Sequence, residues 1–220
     1  MDKTFKQIGS DFKTDKVLHH GYHFYYPQYL EYLRTTKFKM LEIGLGTFSH
    51  NTGNSPKLWK TYFPHANIFT MDINQEYQDE YSRVIKGDQS SILDLEKVKN
   101  IIKDCDFIID DGSHHPEHQL LTFNYFFSNL LNLGGVYIIE DIECSYWSPQ
   151  NEVYGYKLGY LNLIDYFTKY QHEINSEFNK NNNSLNISTI TFGPNFIIIK
   201  KQTQEEIDFY NREYRFKHQL

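Results

Sequence analysis

Short apolar runs alternate along this chain with longer stretches whose apolar positions recur at helical spacing. Residues 38–43, 67–71, 82–85, 106–110 and 136–139 are compact runs of strand type. Between them, 55–62, 91–102 and 116–131 read as helices. Ile92, Leu93, Leu95, Val98, Ile101 and Ile102 mark the apolar positions of the second. Pro116 suits a first helical turn, as does Pro27 at the head of a further helical stretch, 27–34, and Gly134-Gly135 ends the helix before the fifth strand. The last third changes character. Residues 157–171 look helical, 178–183 form an Asn/Lys-rich loop, and the β-rich runs 185–192 and 195–200 flank Gly193-Pro194, a hairpin signal. Strands alternating with helices predict an open parallel sheet covered on both faces, and the hairpin adds an antiparallel edge. Residues 38–220 make one such α/β domain. Residues 1–37 precede it as a polar, aromatic arm, either a lid or, on sequence physics alone, a solvated segment.

Composition narrows the partners. The chain has 220 residues, and 22 Lys+Arg against 28 Asp+Glu leave a formal charge of −6, which argues against a binder of phosphate backbones. No apolar run approaches the ~18–20 residues that span a bilayer, and the first residues lack the apolar stretch of a secretory signal. Cys105 and Cys144 show neither metal-ligand spacing nor a disulfide framework, so a reducing cytoplasm is expected. With 18 Tyr, 17 Phe and Ala66 as the only alanine, aromatic stripes are read first as core.

Candidate chemistry gathers at strand ends. Gly44-Leu45-Gly46 follows the first strand, where glycines let the backbone approach a ligand; an ordinary strand–helix turn reads equally well. Ser49 stands where a dinucleotide fingerprint has its third glycine, and Asp72 closes the second strand, placed to accept from a ribose diol. That combination fits a nucleoside better than a pyrophosphate. Asp88 and Gln89 follow the third strand and could pair with an adenine edge, or form a helix-capping turn. Asp110-Asp111-Gly112-Ser113-His114 follows the fourth strand and Glu140-Asp141 the fifth. If these strands are parallel neighbours, their carboxylates crowd one edge about 5 Å apart, a costly arrangement that a hard divalent cation offsets. All-oxygen ligation suits Mg²⁺, Mn²⁺ or Ca²⁺ over Zn²⁺. Helix capping by Asp111, Ser113 or Asp141 is the competing account. His114 beside the cluster has the chemistry of a general base.

Taken together, these segments resemble the class I S-adenosylmethionine-dependent methyltransferases, and among them the metal-dependent macrolide sugar O-methyltransferases of mycinamicin and rhamnosyl type. The resemblance rests on Thr14-Asp15-Lys16 with His20-Gly21-Tyr22, Leu41-Glu42-Ile43-Gly44-Leu45-Gly46, Gly87-Asp88-Gln89-Ser90, Asp110-Asp111-Gly112-Ser113-His114, and Ile139-Glu140-Asp141 with Ser145-Tyr146-Trp147. It implies a Rossmann-like doubly wound sheet of seven strands in the order 3-2-1-4-5-7-6, the last antiparallel. It also implies that Glu42, Gly44 and Gly46 border the methionine portion of S-adenosylmethionine, Asp72 the ribose, and Asp88 with Gln89 the adenine. Asp111, Glu140 and Asp141 would then hold Mg²⁺ (or Mn²⁺), and His114 would deprotonate the acceptor hydroxyl.

The implied reaction is an SN2 transfer of methyl to an oxygen of a sugar or small-molecule precursor, in polysaccharide or natural-product biosynthesis. Tyr146, Trp147, Tyr154, Tyr156 and Tyr160 could form an acceptor platform or simply pack. Two other functions stay open. One is methylation of a phosphoryl or carboxyl oxygen of a surface-polysaccharide precursor, with Lys16 or Lys157 as cationic partners. The other is a non-catalytic nucleoside- or metal-binding module; an NAD oxidoreductase is a more distant alternative. Expected partners are a small-molecule acceptor (a sugar or phosphorylated metabolite) and further copies of the chain, and neither nucleic acid nor membrane.

Overall fold

The computed structural model describes residues 3–46, 53–175 and 183–210; positions 178–182 of the expected Asn/Lys loop lie outside them. An eight-stranded sheet organises the chain. Its strands are β1 (Lys39–Ile43), β2 (Asn67–Asp72), β3 (Tyr77–Gln78), β4 (Arg83–Lys86), β5 (Cys105–Asp110), β6 (Leu131–Glu140), β9 (Ile187–Gly193) and β10 (Phe196–Lys201), in the spatial order β3-β4-β2-β1-β5-β6-β10-β9. The expected count of seven strands is therefore corrected to eight. The two-residue β3 pairs antiparallel with β4 at the edge, too short to leave a periodic signal. A separate hairpin joins β7 (Glu152–Val153) and β8 (Tyr156–Lys157) where a loop and the start of a helix were expected.

Parallel pairing aligns the strand exits. Ile43 lies opposite both Met71 and Asp110, and Asp110 lies opposite Ile139. The residues that follow, Gly44, Asp72, Asp111 and Glu140, thus emerge along one sheet edge, where ligands bind in open α/β sheets. β10 runs antiparallel to β6 with Phe196 opposite Glu140, which brings the β9–β10 turn to the same edge.

Alternation along the strands feeds two cores. Leu41, Ile43, Ile108, Tyr137 and Ile139 face α5 (Ile92–Ile102), α6 (Pro116–Asn129) and α7 (Leu163–Thr168). Met40, Phe107, Ile109 and Ile138 face the other way, onto α4 (Asn54–Tyr62) and the N-terminal segment. Ser91, read from the sequence as the first helical residue, instead caps α5 by accepting from the Asp94 amide. The Gly134-Gly135 pair does not separate helix from strand. β6 already starts at Leu131 and passes through both glycines, with a register shift against β5 that absorbs them.

The N-terminal segment is not a solvated arm. It folds as α1 (Phe5–Asp11), α2 (Asp15–Leu18) and α3 (Tyr26–Leu30), with α1 opened by a capping box between Thr4 and Gln7. Phe5, Ile8, Val17, Tyr22, Tyr26 and Leu30 are buried against α4 and the sheet. Among the described residues, no helix is long and apolar enough to cross a membrane.

Candidate active site

A cavity of about 630 Å³ opens at the carboxyl edge, between the exits of β1, β2, β4 and β5 and the tip of the β7–β8 hairpin. Gly44, Gly46, Asp72, Asp88 and Gln89 line one part of it, and Asp111, His114 and Asp141 another.

Gly44 has a structural reason to be glycine. Its φ is +94°, and a Cβ there would lie 2.0 Å from the Asp111 carbonyl oxygen. The first crossover loop can approach the β5 exit only because that Cβ is missing. Asp72 forms a turn in which its Oδ1 accepts from the amides of Asn74 and Gln75. Asp88 Oδ1 accepts from the amide and hydroxyl of Ser90. These bonds fix both carboxylates at the cavity wall through one oxygen each.

Two of the expected cofactor residues are engaged elsewhere. Glu42 is buried outside the cavity lining and accepts from Trp59 Nε1 (3.0 Å) and Ser55 Oγ (2.8 Å), which anchors α4. Burial lifts its pKa to about 7, against the opposing pull of Lys16. Gln89 reaches the wall, yet its Nε2 donates to both oxygens of Asp110 at 2.7 Å and its Oε1 accepts from the Ser113 amide. Its amide holds the β5–α6 loop, with the nitrogen engaged by Asp110 and the oxygen by Ser113.

The acidic exits do converge. Asp111, His114 and Asp141 each offer a ligand atom, all within 4.8 Å of one another. Asp141 and His114 have φ of 52° and 54°, a left-handed backbone that is uncommon for such residues and that aims both side chains inward. One oxygen of each aspartate is already taken. Asp141 Oδ1 accepts from Tyr22 (2.9 Å) and Asn195 Nδ2 (2.8 Å), and Asp111 Oδ2 accepts from Lys16 Nζ at 2.5 Å. Glu140, the third expected ligand, adjoins Asp111 through Lys16: its Oε1 accepts from Tyr26 and its Oε2 from Lys16.

Charge in the cluster is held by burial and by Lys16. Burial would lower the Lys16 ammonium, but Asp111, Glu140 and Glu42 outweigh it and hold its pKa well above the ordinary range. Burial also raises Asp111, yet Lys16 and His114 reverse the effect and keep it below the usual carboxylate value. Asp141 is raised, by burial first and the Asp111 charge second. His114 Nδ1 is buried without a hydrogen-bond partner, and its Nε2 lies 3.9 Å from Asp141 Oδ2.

Sequence reasoning gave the supports no such role, although Lys16 and Tyr22 stood in the segments that carried the resemblance. Lys16, Tyr22 and Tyr26 belong to the segment expected to be solvated, and Asn195 to the hairpin turn. The Gly193-Pro194 hairpin signal was the sequence feature beside Asn195, and the pairing of Phe196 with Glu140 is what brings that turn to the site. Of the aromatic candidates, Tyr154 and Tyr156 line the cavity, while Tyr146 and Tyr160 are 70% and 90% exposed outside it and Trp147 also lies outside the lining. The hairpin carrying Tyr154 and Tyr156 is pinned by the contact between His115 Nε2 and the Lys157 carbonyl at 2.8 Å. Neither proposed phosphoryl partner serves: Lys16 is buried among carboxylates and Lys157 does not line the cavity.

No family model matches the chain. It is 35% identical over 153 residues to the mycinamicin VI 2''-O-methyltransferase of Micromonospora griseorubida, an alignment covering 64% of this chain and 38% of that enzyme. It is 33% identical over 138 residues to the 8-demethyl-8-alpha-L-rhamnosyl tetracenomycin-C 2'-O-methyltransferase of Streptomyces olivaceus, covering 61% and 36%. The solved MycE methyltransferase of the mycinamycin biosynthetic pathway, in complex with Mg and SAH, superposes with a TM-score of 0.79 at 25% identity, over 94% of this chain and 56% of that one. The resemblance read from the sequence stands. The chain spans well under half the length of these curated relatives and just over half of the solved one.

Proposed function

We propose that this chain carries the methyl-transfer core of an S-adenosylmethionine-dependent, divalent-ion-assisted O-methyltransferase that acts on a hydroxyl of a sugar or sugar-bearing small molecule. One observation carries the reading: Asp111 and Asp141, each fixed through one oxygen, meet His114 at one side of a cavity whose other side presents Asp72 and Asp88. The relatives, named for methyl transfer to macrolide and polyketide sugars, support the acceptor class.

Asp111 and Asp141 would hold the ion, and their donor set of carboxylate oxygens beside an imidazole fits Mg²⁺ or Mn²⁺. When bound, the ion supplies Lewis acidity to the acceptor oxygen and the donor supplies a sulfonium-activated methyl group. The chain does the rest. Gly44 and Gly46 leave room for the donor's methionine portion, Asp72 accepts from the ribose diol, and Asp88 borders the adenine. Glu42 and Gln89 act from behind, the first anchoring α4 and Lys16, the second the loop that carries Asp111 and His114. His114, at the cavity wall, takes the acceptor proton. Tyr154 and Tyr156 border the acceptor end.

The test is transfer of labelled methyl from S-adenosylmethionine to a panel of neutral and phosphorylated glycosides, with Mg²⁺ and with excess EDTA. A neutral glycoside should yield the ether and S-adenosylhomocysteine in Mg²⁺ and nothing in EDTA. Full activity in EDTA removes the ion from the reading, and failure to bind S-adenosylhomocysteine removes the donor.

A further inference from the structure

His115 ties the head of α6 to the β7–β8 hairpin. The residue is 6% exposed and stands just before Pro116, where α6 begins. Its Nε2 donates to the Lys157 carbonyl at 2.8 Å, and its ring stacks on His118 with 4.4 Å between centroids. His118 is held in turn by Ser113 Oγ, 3.0 Å from its Nδ1, and meets the Tyr156 ring edge-on at 4.6 Å.

The hairpin needs such an anchor. It has two paired positions, Glu152 with Lys157 and Val153 with Tyr156, closed by the Leu158 amide on the Asn151 carbonyl. A two-stranded ribbon of that size is marginal by itself. Its inward support is a small apolar cluster of Val153, Leu158 and Cys144. The turn is demanding as well. Tyr154 and Gly155 both have positive φ, 49° and 85°, as a two-residue hairpin turn of type I′ requires, and for tyrosine that backbone is strained. The strain places a ring. Tyr154 lines the cavity with its centroid 5.7 Å from that of His114. The loop that carries the proton acceptor thus also carries the clamp on the ring beside it.

We propose that His115 is a positioning residue for the acceptor: by clamping the hairpin to α6 it fixes Tyr154 beside His114 and so shapes the acceptor end of the cavity. The inference rests on the acceptor reading above and adds the residue that sets that end. An acceptor whose hydroxyl reaches His114 lays its ring beside Tyr154, whose face is flat and uncharged. Among the described residues no lysine or arginine lines the cavity, so this wall suits a neutral ring and offers a phosphorylated one no cation. The donor contacts come from other strand exits, at Asp72, Asp88 and the Gly44–Gly46 turn. His115 therefore governs the binding of one substrate and not of the other.

The test compares wild type, His115→Leu, His115→Gln and Gly155→Val in steady-state methyl transfer to the neutral glycoside that wild type accepts best. S-adenosylmethionine and Mg²⁺ are saturating, and circular dichroism confirms folding. His115→Leu keeps the bulk and loses the donor. Its acceptor KM should rise about tenfold with kcat within about twofold, the pattern of lost acceptor binding. His115→Gln, whose Nε2 can reach the Lys157 carbonyl, should recover most of that loss. S-adenosylhomocysteine affinity should hold in all three variants. Gly155→Val loosens the same hairpin from its exposed turn, where a Cβ meets nothing within 4 Å and only the positive φ opposes it. Its KM should rise likewise, which keeps the test open if His115→Leu does not fold. Hydrogen exchange over 151–158 should quicken in the Leu and Val variants and not in the Gln variant. An unchanged KM in folded His115→Leu or Gly155→Val, no recovery with Gln, or an equal loss of S-adenosylhomocysteine affinity overturns the proposal. If wild type methylates no glycoside, the functional reading falls and takes the acceptor role of His115 with it, an outcome distinct from the others.

Discussion

Tyr22 donates its phenolic hydrogen to Asp141 Oδ1 over 2.9 Å, linking the N-terminal segment to a strand exit 119 residues later. The ring is buried and stacked between His20 and Tyr26, at centroid distances of 5.2 and 5.0 Å. Tyr22→Phe keeps the stack and deletes the bond. Stability should fall by about 1.5–3 kcal/mol, the range for a hydrogen bond to a charged group, and Mn²⁺ binding should weaken severalfold as Asp141 loses part of its orientation. Urea denaturation and a Mn²⁺ titration read the two effects separately.

Asp141→Asn removes the charge that faces Asp111 and His114 while keeping a side-chain oxygen for Tyr22. Turnover should be lost and Mn²⁺ affinity reduced by about two orders of magnitude or more, a few kcal/mol for one charged ligand. S-adenosylhomocysteine binding, which the reading places on Asp72, Asp88 and the Gly44–Gly46 turn, should hold within a few-fold. Calorimetry with each ligand in turn checks this, and loss of both affinities together would mean that the variant misfolds.

His114→Ala should lower kcat by about 10²–10⁴, the usual contribution of a positioned proton acceptor, with little change in the KM for the acceptor. A kcat close to that of wild type assigns the proton to another group.

His118 offers a prediction on stability. Its pKa is lowered from 6.5, by burial first and by the adjacent His115 ring second. The native state therefore holds it neutral in a window where the unfolded chain is protonated. The resulting stability is complete above the unfolded pKa and is lost as pH falls through the lower native value. Denaturation midpoints should drop from pH 7.5 to 5.5, and His118→Gln should flatten the decline. An NMR titration of the imidazole gives the native pKa directly.

The sheet was legible because buried parallel strands leave compact apolar runs, and those runs stop where their exits turn polar. Asp111 and Asp141 were legible for that reason: each stands one residue beyond an apolar run, behind Asp110 and Glu140 respectively, and parallel register brings the ends together. Lys16, Tyr22 and Tyr26 were not. They lie in turns and helices of three to five residues, too short for a periodic apolar face, and their burial comes from contacts with strands far away in sequence. Gln89 misled for a related reason. An amide after a strand looks available for a ligand, and only the tertiary fold reveals that a buried Asp110 claims it. Gly134 and Gly135 misled through local grammar, since a paired glycine usually breaks an element and here sits inside one.

The capped helix at Phe5–Asp11 and the tyrosines behind it bear on where this protein could be shortened. Trimming the first thirty or so positions would look conservative to anyone judging by hydropathy. It would instead strip one side of the sheet of its aromatic cover and leave four acidic groups to settle their mutual repulsion unaided. Useful boundaries for expression, fusion or circular permutation therefore lie elsewhere, since the segment over 5–30 supports the acidic cluster as well as the scaffold.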